Sequence, residues 1–217
     1  FDRTRMMTAN SIFISDSCTG KYVALFLRSV WLIVAGYLLS ACAGGPGGSS
    51  SFVIRDDVDV RPEVRADFEK AVMMLQKQEY ERGIRLLNRV VERSDKSITP
   101  YINLGIAYRN IGDMKKAEAS LNKALKLNPV HPAANNEMGM VYRKTGRFAE
   151  ARRTYERILE RFPGFYPARK NLGILCDLYI NDFRCAMANY EIYNKADPGD
   201  KDVVMWIADL RKRMEKK

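Results

Sequence analysis

From residue 63 onward, apolar side chains recur three and four positions apart, the spacing that puts them on one face of a helix. Leu104 and Tyr108 make one such stripe, and Leu121 and Ala124 make the next. Between them Gly112-Asp113 supplies a short turn, and Pro129 stops the second helix. The stripes themselves repeat. Gly105, Gly139 and Gly173 are successively 34 residues apart, and so are the pairs Tyr108 and Tyr142, Gly112 and Gly146, Ala117 and Ala151, and Pro129 and Pro163. Pro198 follows Pro163 by 35, which points to one inserted residue in the turn around residues 180–183.

The segment Tyr101-Ile102-Asn103-Leu104-Gly105-Ile106-Ala107-Tyr108, followed by Ala117, Leu121, Ala124 and Pro129, resembles the tetratricopeptide repeat, a 34-residue antiparallel helix pair. The resemblance implies an all-α fold, an α-solenoid of about four helical hairpins plus a C-terminal capping helix over residues 63–217. The repeats fall at about 64–97, 98–131, 132–165 and 166–200, with the cap at 201–217. Gly105 and Ala117 are small where two helices must cross closely. The first unit departs from the pattern, because Lys70 stands at an apolar position and the closing proline is missing. In the last segment Val203, Trp206, Ile207, Leu210 and Met214 form a helical stripe, and Asp200 is a good N-cap for it.

Solenoids of this kind hold a peptide or helix of a partner protein along the face made by their first helices. That resemblance implies a groove lined by Phe68, Val72, Ile102, Ile106, Met140 and Ile174, with Asn103 and Asn171 placed to hold a peptide backbone and Arg109 and Arg143 one turn further along. Ordinary packing between repeats is the competing reading for each of these residues taken singly. One subset of the family grips a terminal carboxylate, but Phe68, Val72, Ala133 and Glu137 occupy the positions where its charged and amide groups are needed. An apolar groove edged by arginines suits an amphipathic helix or an extended apolar segment better.

The N-terminal region is of a different kind. An apolar run over residues 22–41 is interrupted by Arg28 and ends in Leu39-Ser40-Ala41-Cys42. With Lys21 and Arg28 as the positive flank and residues 29–39 as the apolar core, it reads as an export signal, an uncleaved signal anchor being the alternative. Its last four residues resemble the lipobox of bacterial lipoproteins, which implies cleavage before Cys42, diacylglyceryl attachment to its thiol and N-acylation of the new terminus by a further chain such as palmitate. Residues 1–20 are read as an over-long leader outside the fold. Beyond Cys42, a Gly/Ser-rich stretch to residue 62 reads as a flexible tether reaching roughly 25 Å. Ala43, where an aspartate would retain a lipoprotein in the inner membrane, favours the periplasmic face of the outer membrane.

Composition narrows the chemistry. The 217 residues are 47% hydrophobic and 29% charged, with a net charge of +10 spread along the chain as a solvated helical surface. A single histidine, His131, disfavours histidine-based catalysis and multi-histidine metal sites. Ser120-Leu121-Asn122-Lys123 matches an S-x-x-K acylation pair but lies inside a repeat helix without partner motifs. His131 is read as a solvated turn residue. Asp56, Asp57 and Asp59 are read as solvated tether residues. Cys176 and Cys185 flank the enlarged last turn and are either a disulfide or two packed thiols. The expectation is a non-enzymatic scaffold without cofactor, metal, nucleic acid or small-molecule substrate. Lipidated repeat proteins of this kind serve pilus assembly, secretion and cell-wall complexes; a periplasmic chaperone for unfolded or pilin-like clients is the alternative.

Overall fold

A computed structural model describes residues 61–216. Cys42, the leader and the tether as far as residue 60, with its acidic run, lie outside the described residues, whereas Pro62, read from sequence as the end of the tether, opens the first helix. The described chain is nine helices and no strand: α1 (Pro62–Gln76), α2 (Tyr80–Arg93), α3 (Ile98–Asn110), α4 (Met114–Leu127), α5 (Pro132–Lys144), α6 (Phe148–Arg161), α7 (Tyr166–Leu178), α8 (Phe183–Ala196) and α9 (Lys201–Glu215). Consecutive helices pair into four hairpins, and α9 packs on the last one. The all-α solenoid expected from the repeat is the fold observed.

Turn chemistry sets the hairpins. Gly112 and Gly146 sit at φ +87° and +78°, left-handed conformations that cost a residue without Cβ little. In the first hairpin the same place is taken by Gln78 at φ 62°, and in the last by Asn181 at φ 53°. The turn between α7 and α8 runs over residues 179–182, one longer than its counterparts, which is the insertion the proline spacing indicates. Helix starts are capped locally. Asp113 accepts the Lys116 N–H at 3.0 Å, Asp182 the Cys185 N–H at 3.1 Å and Asp200 the Val203 N–H at 3.4 Å. His131, read from sequence as a solvated turn residue, is instead buried, and its Nδ1 accepts the Ala134 N–H to cap α5.

Packing follows from one repeated contact. Each first helix carries a small residue where its partner crosses, so the backbones approach until a large residue of the second helix fills the gap. Leu121 lies against Gly105, Tyr155 against Gly139 and Tyr190 against Gly173. These three large residues are 0–1% exposed and anchor the core. The odd-numbered helices α1, α3, α5 and α7 also touch one another in sequence. They form a continuous inner layer, with the even-numbered helices outside it. No helix among the described residues is long and apolar enough to cross a membrane.

Candidate protein-binding face

Residues one position beyond Ala71, Gly105 and Gly139 lie on the helices of the inner layer. Val72, Ile106 and Met140 occupy equivalent places on α1, α3 and α5 and are half-buried, as is Phe68 on α1. They form an apolar row with surface left to cover. The other two apolar residues of the sequence reading are more fully covered. Ile102 packs among Ala134, Met138 and Leu121, and Ile174 joins the core around Leu172 and Leu175. Ile174 stands in the same register as Ile106 and Met140 but is only 9% exposed, so the row loses its open surface at α7.

The two arginines are not exposed edges of a groove. Arg109 and Arg143 are only 7% and 8% exposed. Arg109 Nε donates to Glu137 Oε2 of the next hairpin at 3.0 Å. Arg143 lays its guanidinium over the Tyr179 ring, 5.5 Å from the centroid, and its Nε reaches no acceptor. Burial, together with the charges of Arg109 and Arg143, holds the Lys144 ammonium below its usual pKa. The asparagines also divide. Asn171 Nδ2 donates to Asn136 Oδ1 across the hairpin boundary at 3.0 Å, whereas Asn103 is half-buried on α3.

Sequence reasoning missed the residues that tie one repeat to the next. Arg147 grips Glu118 through two hydrogen bonds of 2.9 and 2.6 Å and stacks on the Tyr142 ring. Arg152 reaches Asp182, Lys170 reaches Asp200, and Arg213 of α9 reaches Asp177. The available signal was the repeat register itself: Arg109, Arg143 and Asp177 are spaced by 34, so all three end equivalent helices. Burial raises the Tyr155 and Tyr190 phenols above the usual range, with the Asp177 carboxylate adding to the effect at Tyr190.

Candidate chemistry elsewhere is engaged in structure. Ser120 Oγ donates to the Lys116 carbonyl inside α4, so the hydroxyl of the S-x-x-K match is bonded to its own helix backbone. Cys176 and Cys185 are joined by a disulfide that closes the α7–α8 turn. With Asp182 they make the one cluster of metal-ligand type among the described residues. Its sulfurs are bonded to each other, and its carboxylate is taken by the Cys185 N–H and Arg152.

The class of protein is thus a repeat solenoid with a half-covered apolar inner row. Residues 102–175 match the family model described as tetratricopeptide repeat. Among solved structures, the chain superposes on PilF of Pseudomonas aeruginosa with TM-score 0.65 at 19% identity, covering 70% of this chain and 69% of that one. PilW, described as a widely conserved type IV pilus biogenesis factor, gives TM-score 0.64 at 18% identity over 70% of each chain. MamA of Desulfovibrio magneticus gives 0.61 at 21% over 71% of this chain and 87% of that one. These likenesses show the fold. Among curated proteins, the chain is 34% identical over 71 residues to the photosystem I assembly protein Ycf3 of Prochlorococcus marinus, covering 33% of this chain and 39% of that protein. It is 33% identical over 86 residues to the probable N-acetylglucosaminyltransferase SPINDLY of Solanum lycopersicum, covering 40% of this chain. The match spans only 9% of that relative's length.

Proposed function

We propose that this protein is a non-catalytic adaptor whose inner helical layer takes a peptide or amphipathic helix of a protein partner. The observation that carries the reading is the row Val72, Ile106 and Met140: three apolar residues at equivalent places, each left half-covered by the fold. Apolar surface held in fixed register on packed helices gains affinity when a partner's apolar face covers it. Lipid attachment at Cys42 would hold the domain at the periplasmic face of the outer membrane, within reach of an envelope assembly. That part of the proposal rests on the Leu39-Ser40-Ala41-Cys42 pattern and the Gly/Ser-rich stretch after it. Pilus, secretion and cell-wall complexes are the machines it fits. Ycf3 and PilW are both described as assembly or biogenesis factors, in keeping with a scaffold role.

The test is capture of partners from envelope extracts by the full chain. Ile106→Asp with Met140→Asp is expected to abolish capture while circular dichroism stays helical, since each new carboxylate would be desolvated without a partner. Unchanged capture by a folded double variant refutes the groove. Recovery of many transient clients in place of one stoichiometric protein would make the domain a chaperone. Labelling with palmitate tests the anchor separately: incorporation should disappear in Cys42→Ala, and equal labelling of both proteins refutes lipidation there.

A further inference from the structure

The first helix carries a seat that no described helix fills. On α5, Ala134, Met138 and Val141 form one stripe, and they share a core with Ala117, Leu121 and Ala124 of α4, the second helix of the hairpin before. The same three places are buried on α3, α7 and α9, each of which packs against the second helix before it. On α1 they are Ala66, Lys70 and Met73, all exposed, Met73 by 55%. No hairpin precedes α1 among the described residues. Beside this stripe α1 and α2 leave a groove of about 490 Å³ with Met74 and Leu86 in its walls. Lys70, Arg82, Arg85 and Arg89 also line it, against Glu92. Arg82 is paired with Glu79 at 2.6 Å and Arg89 with Asp67 at 3.8 Å. Lys70 and Arg85 have no ion pair among the described residues. The seat is therefore partly apolar, with two uncompensated cations.

We propose that an acidic amphipathic helix of a partner protein docks on this seat, in the place that α2, α4 and α6 take on the helices after them. The shape argues for a helix, because the seat repeats in register a surface that every later first helix buries under one. The charge argues for acids. Where later seats present Leu104, Met138 or Leu172, this one presents Lys70. Apolar cover would strip water from its ammonium without return, whereas a carboxylate pairs with it. Arg85 takes a second carboxylate, and Met73 and Met74 take the apolar stripe. A second copy fits less well, because the exposed residues at the open face of its α9 include Lys201, Arg211 and Lys212, which would meet the same cations. A flat anionic lipid surface would leave the groove wall at Leu86, 6% exposed, untouched. The seat is also distinct from the inner row. Val72 is one residue, about 100°, round α1 from Met73, so the two contacts can be tested apart.

Methionine methyl NMR on the full chain tests this, because Met73 and Met74 report the seat, Met140 the inner row and Met205 the far end. The probe is a peptide with the sequence of residues 114–127, the helix that covers the equivalent stripe on α5. It carries Lys115→Glu, Lys116→Glu, Lys123→Glu and Lys126→Glu, and is cross-linked on its outer face to hold it helical. The same peptide without these substitutions is the control. The acidic peptide is expected to move the Met73 and Met74 signals and leave Met140 and Met205 in place, and the control to move none. Lys70→Glu with Arg85→Glu, both at exposed positions, should weaken the acidic peptide roughly tenfold and admit the control instead. No movement at Met73 and Met74, movement at Met140 in their place, equal binding of the two peptides, or an unchanged affinity in the double variant overturns the proposal. Movement of Met73 and Met74 on adding anionic phospholipid vesicles, or on raising the protein concentration alone, would assign the seat to a membrane or to a second copy and also overturn it.

Discussion

Gly139 of α5 faces the ring of Tyr155 of α6 so closely that a Cβ on Gly139 would lie 2.5 Å from Tyr155 Cε1. The pair fixes how near the two helices approach. Gly139→Leu should overpack this crossing and lower stability by on the order of 1–3 kcal/mol or more. Thermal unfolding followed by circular dichroism measures it, and an unchanged melting temperature refutes the crossing.

Arg109 and Glu137 form a buried pair between two repeats. Glu137→Ala leaves the guanidinium buried without a partner and should cost on the order of 3 kcal/mol. Arg109→Glu with Arg143→Glu places carboxylates in the same interior and should disrupt the fold. Exposed charges at a groove rim would merely slow association. Denaturant midpoints separate the two outcomes: a folded double variant with wild-type stability would return these arginines to the surface.

Gln78 holds a left-handed conformation that glycine occupies in the two following turns. For a residue with Cβ this conformation costs roughly 1–2 kcal/mol, part of which glycine gives back through its more flexible unfolded chain. Gln78→Gly should therefore raise stability by about 0.5–1 kcal/mol. The side chain is exposed, so little packing is lost. A lower melting temperature in Gln78→Gly would contradict the strain.

Burial holds the Tyr155, Tyr190 and Tyr193 phenols above their ordinary pKa, with nearby carboxylates adding to the effect at Tyr190 and Tyr193. Unfolded tyrosine ionises near ~10. The stabilisation from keeping these phenols protonated is complete below about pH 10 and is lost as pH rises above it. The denaturation midpoint should drop between about pH 8 and about pH 11, and the drop should shrink when the three tyrosines are replaced by phenylalanine. The same drop in that variant would assign the effect to other groups.

The fold class was legible because its determinants are local and repeated. A glycine at the crossing, a glycine in the turn, a proline after the second helix and a stripe three or four residues apart recur with one period. Even the late Pro198 marked the longer turn before Phe183. The row Val72, Ile106 and Met140 could be placed on one face for the same reason. Other features depend on how hairpins stack, which spacing inside one helix does not encode. Arg109 looked like a groove edge because Glu137, its partner, lies 28 residues on in the next hairpin. His131 looked solvated because its neighbours in sequence are turn residues, yet the fold closes over it. The sequence by itself determined the helices, the turns and the lipobox-like cysteine pattern. Tertiary structure alone decided which polar groups are buried and paired, because desolvation and pairing are settled between elements far apart in the chain.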